Sequence, residues 1–222
     1  MTGARFFSGA SATLPAVLLI PALAGPAHAG DATRVFTPAQ IIEWESHSFE
    51  GETSYTLTEH EGREAVHAVC DEGTASGLFL EERIDLNETP VLEWDWYVAE
   101  TFSGIDETTK EGDDYPARLY AVREHTIARW RTRAVNYVWA SEQSQGTDWP
   151  NAYLSQAHMI AMRSGPPEDP AWVTERRNLR EDFAALHGRD LDRVDALAIM
   201  TDCDDVGEPA EAWYGEVRLL PD

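Results

Sequence analysis

Lysine is nearly missing from this chain. Lys110 is the only one in 222 residues, and arginine carries the rest of the positive charge. Cysteine is almost as rare, with only Cys70 and Cys203. No Gly-x-Ser-x-Gly elbow, phosphate loop or dinucleotide fingerprint occurs, so the common covalent and nucleotide chemistries have no support. The seven histidines show no His-x-x-x-His spacing, which removes the usual zinc pattern. Heptads, internal repeats and low-complexity tracts are absent, which excludes coiled coils and solenoids. The apolar run from Ala16 to Ala24 is too short, and too interrupted by Pro15, Pro21 and Pro26, to span a bilayer.

What is abundant is carboxylate. Forty Asp and Glu against 17 Lys and Arg give a formal charge of −23. Such a field disfavours DNA, RNA and anionic lipid as partners. It would also repel an acidic polysaccharide, except where arginines cluster. Excess carboxylate with a single lysine suits a chain kept soluble in external brine, where self-repulsion is screened. Arg5 is the only charged residue before Asp31, and the apolar run leads into Ala27-His28-Ala29. A basic start, a short apolar core and an A-x-A end read as a secretory signal over residues 1–29, with the mature protein periplasmic or extracellular and not inserted in the membrane. Residues 30–222 are then expected to form one domain. In that compartment Cys70 and Cys203 can pair, provided the two strand ends that carry them are neighbours; two separate buried thiols are the other reading.

Short segments with period-two alternation fill the mature chain. Leu92, Trp94, Trp96 and Val98 alternate with Glu93, Asp95, Tyr97 and Ala99, the pattern of a core strand. Ala117 to Arg123 alternates so that Arg118 and Tyr120 share the face opposite Leu119. Further strands are expected over 53–59, 65–70, 76–83, 134–140, 157–163, 194–202 and 211–220, separated by Gly, Pro, Asp and Ser clusters. Phe36, Ile41, Ile42 and Trp44 read as an edge segment tucked under the sheets. One helix is expected, Leu179 to Leu186, stopped by Gly188. The sum is an all-β, jelly-roll-like antiparallel β-sandwich with one short helix in the C-terminal third.

The run Asp106-Glu107-Thr108-Thr109-Lys110-Glu111-Gly112-Asp113-Asp114-Tyr115-Pro116-Ala117-Arg118-Leu119-Tyr120 resembles the signature of the bacterial domain-of-unknown-function family 3047. Asn136 to Trp139, Asn151 to Tyr153, Met200 to Asp202 and Ala212 to Gly215 are similar to its later blocks. That resemblance implies boundaries and a fold rather than an activity. More loosely, Trp213 to Leu219 looks like the closing strand of galactose-binding-like jelly rolls, many of which bind sugars and carry a structural calcium; the likeness sets only a prior.

Three constellations bear on function. The loop before Ala117 brings Lys110, Asp113 and Asp114 close to Arg118 and Tyr120, a mixture able to bond sugar hydroxyls; the bland reading is a solvated loop with surface ion pairs. Asn136, Tyr137 and Trp139, then Trp149, Asn151 and Tyr153, combine rings and amides as a glycan groove does. Trp139 can equally be core, whereas Trp149, between Asp148 and Pro150, reads as a loop residue free to stack. Asp202, Asp204 and Asp205 precede Gly207 in a run that could hold calcium, or be a plain acidic turn. The function expected is non-catalytic binding of a glycan or cell-envelope polysaccharide. The rivals are a polysaccharide lyase or glycoside hydrolase on the same sandwich, and a structural periplasmic protein that binds a protein partner.

Overall fold

The computed structural model describes residues 33–71, 73–125 and 131–222. The expected secretory signal lies outside these residues. Residues 31–222 form one compact unit. Its strands are β1 (Arg34–Phe36), β2 (Glu45–Glu50), β3 (Ser54–His60), β4 (Arg63–Cys70), β5 (Ala75–Leu80), β6 (Ile84–Asp85), β7 (Val91–Tyr97), β8 (Ala117–Arg123), β9 (Arg133–Ala140), β10 (Asp148–Pro150), β11 (Ala157–Ser164), β12 (Val173–Asn178), β13 (Arg193–Val194), β14 (Ala196–Asp202) and β15 (Ala210–Leu220). Among the described residues two α-helices accompany them, α1 (Pro38–Ile41) and α2 (Leu179–His187).

Two sheets face each other. The first runs β12-β7-β15-β4-β3, with β1 also on β15, and the second runs β10-β11-β9-β8-β14-β5-β2. β6 and β13 form a separate two-stranded ribbon. Alternation decides what lies between the sheets. From the first come Trp94, Trp96, Tyr214 and Leu219, and from the second Leu119, Tyr137, Trp139 and Ile199, all in one buried cluster. Rings meet across the gap: Trp94 lies 5.1 Å from Tyr137 and Trp96 lies 5.8 Å from Trp139, centroid to centroid. Burying rings of this size dominates the energy of such a core.

Among the described residues the strand pairs are antiparallel with one exception. β11 pairs parallel with β9. Residues 141–156 are long enough to carry the chain back to the start of β9, and β10 then closes antiparallel on the outer edge of β11. Helix α2 begins at Asn178, whose side chain accepts the N–H groups of Arg180 and Glu181, and ends at Gly188, which takes the left-handed conformation (φ 60°) that a Cβ disfavours. Its buried residues include Leu179 and Phe183. At one end of the sandwich Cys70, the last residue of β4, is disulfide-bonded to Cys203, just past β14, with Cα atoms 6.0 Å apart. That bond ties one sheet to the other.

Candidate functional site

The site is built on the outer face of the seven-stranded sheet. Residues opposite each other in paired strands project to the same side. The register places Trp149, Met159, Asn136, Tyr120, Ala198, Phe79 and Glu45 in one row that crosses all seven strands. A second row on the same face holds Val138, Arg118, Met200, Gly77 and His47.

The loop between β7 and β8 covers one half of this face. Its Tyr115 packs with Trp149, Val138, Ala140, Met159 and Ala161 in a buried cluster. Glu107, fully buried, fastens the loop down: its carboxylate accepts the backbone N–H groups of Ser141 (2.6 Å), Glu142 (3.1 Å) and Gln143 (2.8 Å), while its carbonyl accepts Trp149 Nε1–H (3.1 Å) and the Tyr115 hydroxyl (3.3 Å). Burial raises the Glu107 pKa and the three N–H groups oppose that shift.

Under the covered half lies a charged cluster. Arg118 is 5% exposed. Its Nη2 bonds the Asp113 carbonyl and sits 2.9 Å from Asp202 Oδ2, its Nη1 donates to the Tyr120 hydroxyl (2.9 Å), and the guanidinium stacks 4.3 Å from the Tyr115 ring centroid. Asp202 Oδ1 accepts the Tyr115 N–H (3.1 Å) and Asp114 Oδ2 accepts the Val206 N–H. Burial pushes the Asp114 carboxyl up to about 6, with the Val206 N–H pulling the other way, and holds the Asp202 carboxyl well above the usual range against the pull of Arg118.

The other half of the face is open and aromatic. Phe49, in the β2 bulge between Ser48 and Glu50, is 63% exposed. Ring centroids step from Phe49 to Phe79 (6.3 Å) and from Phe79 to Tyr120 (6.1 Å), and the His47 ring lies 4.8 Å from Phe79. Gly77 makes room for this arrangement: a Cβ there would stand 2.9 Å from the Phe79 ring and 2.8 Å from the Ile199 carbonyl oxygen. Tyr120 is fixed at its hydroxyl, which accepts from Arg118 and donates to Met200 Sδ (3.1 Å). Glu45 and Glu81 border the strip, with Glu81 Oε1 3.5 Å from His47 Nε2.

The residues singled out from sequence therefore separate. Arg118, Tyr120 and Asn136 share the outer face, and Asp113 and Asn151 meet beside Arg118, with Asn151 Nδ2 donating to Asp113 Oδ2 at 2.6 Å. Lys110 does not join them. Its Nζ lies 4.8 Å above the Tyr153 ring, and no ion pair links it to Asp113 or Asp114 among the described residues. Tyr153, 54% exposed, donates to Asp205. Trp149 is not a free loop ring: it sits in β10, 6% exposed, because the Glu107 carbonyl holds its N–H and Tyr115 caps it. Trp139 faces the opposite way, into the core, and its N–H donates to the Gly165 carbonyl (3.0 Å). Asn136 is 1% exposed, so only its neighbour Tyr120 reaches the surface. Sequence reasoning missed Phe49, Phe79 and His47. Carboxylate oxygens that converge closely enough for one cation come from Asp114, Asp202 and Asp204; Asp205 is instead engaged by Tyr153. Glu45, His47 and Glu81 form a second such group among the described residues.

A family model described as "Protein of unknown function (DUF3047)" matches residues 42–218. The chain belongs to this family. The match runs from just before β2 to near the end of β15 and takes in all seven strands of the second sheet. No curated protein matches the chain. Among solved structures, the family 11 carbohydrate-binding module of the cellulosomal cellulase Lic26A-Cel5E of Clostridium thermocellum is similar over 86% of this chain and 95% of that one, at 9% identity and a TM-score of 0.48. The low-affinity xylan-binding module CBM86 of Roseburia intestinalis is similar over 86% and 96%, at 12% identity and a TM-score of 0.36. The glycoside hydrolase domain of Endo-D from Streptococcus pneumoniae R6 is similar over 81% of this chain and 22% of that chain, at 10% identity and a TM-score of 0.42. Among the described residues no helix is long and apolar enough to cross a membrane.

Proposed function

We propose that this protein is an exported, non-catalytic glycan-binding module and that the open half of the seven-stranded sheet is its binding face. The observation that carries the reading is the strip of Phe49, Phe79 and Tyr120, three rings from three strands that are contiguous and exposed or half-buried. A sugar ring offers an apolar C–H face to such a platform and hydroxyls to its edges. Tyr120 is held in place before any ligand arrives, which lowers the entropy lost on binding. Glu45, Glu81 and His47 supply acceptors and a donor at the border. With a net charge of −23 and carboxylates beside the strip, the fitting class is a neutral polysaccharide.

The test is titration calorimetry or affinity electrophoresis of residues 30–222 against a panel of soluble neutral polysaccharides. Phe79→Ala should weaken binding about fivefold to tenfold, the worth of one aromatic contact of ~1 kcal/mol. Tyr120→Phe keeps the ring and should bind nearly as the parent does. Binding that survives Phe49→Ala combined with Phe79→Ala would remove the strip from any role in recognition.

A further inference from the structure

We propose that Asp114, Asp202 and Asp204 form a divalent-cation site of calcium size, independent of the glycan face. Two stretches far apart in sequence meet here because β8 and β14 are neighbours, with Met200 opposite Arg118. Each of the three aspartates places one carboxylate oxygen within 4.8 Å of the other two. Calcium–oxygen bonds of about 2.3–2.6 Å allow ligands on opposite sides of one ion to stand about 4.6–5.2 Å apart, whereas magnesium draws its ligands in to about 4.0–4.2 Å. All three oxygen–oxygen separations therefore fall within the span that one calcium ion can bridge.

A second observation points to a ligand. Asp114 is fully buried, and its Oδ1 has no hydrogen-bond partner. A buried carboxylate oxygen left in that state is costly. Charge points the same way: the three buried carboxyls of Asp113, Asp114 and Asp202 gather around a single guanidinium, Arg118. A divalent cation adds counter-charge at this cluster. The oxygens of Asp202, which already accept from Tyr115 and Arg118, each keep a free lone pair. Asp204 is exposed and gives the ion a way in from solvent.

The loop that presents these oxygens is fixed in advance. Cys203, between two of the ligands, is bonded to Cys70; its N–H donates to the Thr74 carbonyl (3.0 Å) and its carbonyl accepts the Gly207 N–H (2.9 Å). Little ordering remains for the ion to impose.

The experiment is thermal unfolding of chelator-stripped protein titrated with calcium or magnesium chloride. Sodium chloride holds ionic strength constant, because so acidic a chain responds to any salt by screening. Calcium should raise the melting temperature in proportion to the logarithm of its concentration above its dissociation constant, and should do so at least tenfold lower in concentration than magnesium. Calorimetric titration should give one site per chain. Asp204→Asn, at an exposed position, should fold with a melting temperature in chelator no lower than the parent's and lose the calcium response; Asp205→Asn should keep it. Absence of a shift beyond the sodium control up to about 10 mM calcium, the weak end of extracellular sites, overturns the proposal. A normal calcium response in Asp204→Asn overturns it as well.

Discussion

Removing the Cys70–Cys203 bond is the perturbation whose size follows most directly from the structure. The two residues are 133 apart in sequence, so the closed loop takes in β5 to β14. In the chain-entropy description a loop of this length constrains the unfolded chain by about 5 kcal/mol, a large part of the 5–15 kcal/mol typical of a domain. Both residues are fully buried beside Phe102, with Ile105, Val206 and Ala210 packed against them, so the substitution must add no polar group. Cys70→Ala combined with Cys203→Ala fits that need. Urea unfolding of the parent, of the parent under reductant and of the double variant should show a loss of about 3–5 kcal/mol in both altered forms. The m-value should rise as well, because an unfolded chain without the cross-link exposes more surface. A loss below about 1 kcal/mol with an unchanged m-value would mean that the unfolded chain is already compact around these two positions, and the entropic reasoning would fail.

Other predictions concern the covered half of the face and helix α2. Arg118→Met leaves Asp113 and Asp202 buried without their cation and should cost about 3–5 kcal/mol in urea unfolding, with much of it restored by adding Asp202→Asn. Trp149→Phe should cost about 1 kcal/mol through the lost hydrogen bond to Glu107 and leave glycan affinity unchanged, since the ring is buried. Glu107→Ala orphans three backbone N–H groups and should cost at least about 3 kcal/mol, read in the same assay. Burial lowers the His187 pKa below 6.5, with the Ala134 carbonyl opposing and the positive neighbours His158, Arg133 and Arg189 adding to it. The neutral imidazole therefore contributes stability above the unfolded pKa of 6.5, which is lost as pH falls through the lower folded value. His187→Gln should flatten that part of the stability profile relative to the parent.

Strands with one apolar face were legible in the sequence. β8 occupies Ala117–Arg123 as its alternation required, and α2 starts at Leu179 and stops at Gly188 as its spacing and glycine required. Strands without such a face were not. β2, Glu45–Glu50, and β12, Val173–Asn178, are edges of their sheets, so neither needs an apolar stripe and neither shows one. The same physics hid half of the candidate site. Tyr120 stood out because the alternation of β8 puts it on one face with Arg118, whereas Phe49 sits on an edge and Phe79 becomes its neighbour only through the pairing of β2 with β5. Trp149 misled because Asp148 and Pro150 beside it are exposed; the loop that buries it arrives from residues 107–115. The acidic runs at 113–114 and 202–205 were each visible, and their meeting depends on the β8–β14 register.

The places of the last two strands govern how the chain can fold. β14 lies between β8 and β5, and β15 between β7 and β4, so each sheet receives a middle strand from the final 27 residues, 196–222. Before those residues are available, β4, β5, β7 and β8 each present an unpaired edge, and neither sheet can close. Local hairpins such as β3–β4 can form early, but the native contacts that stabilise the sandwich are long-range and come last. During synthesis neither sheet can therefore be completed until residues 196–222 have emerged. Once β14 and β15 dock, both sheets are completed together, so loss of either strand should abolish folding of the whole domain rather than of one layer.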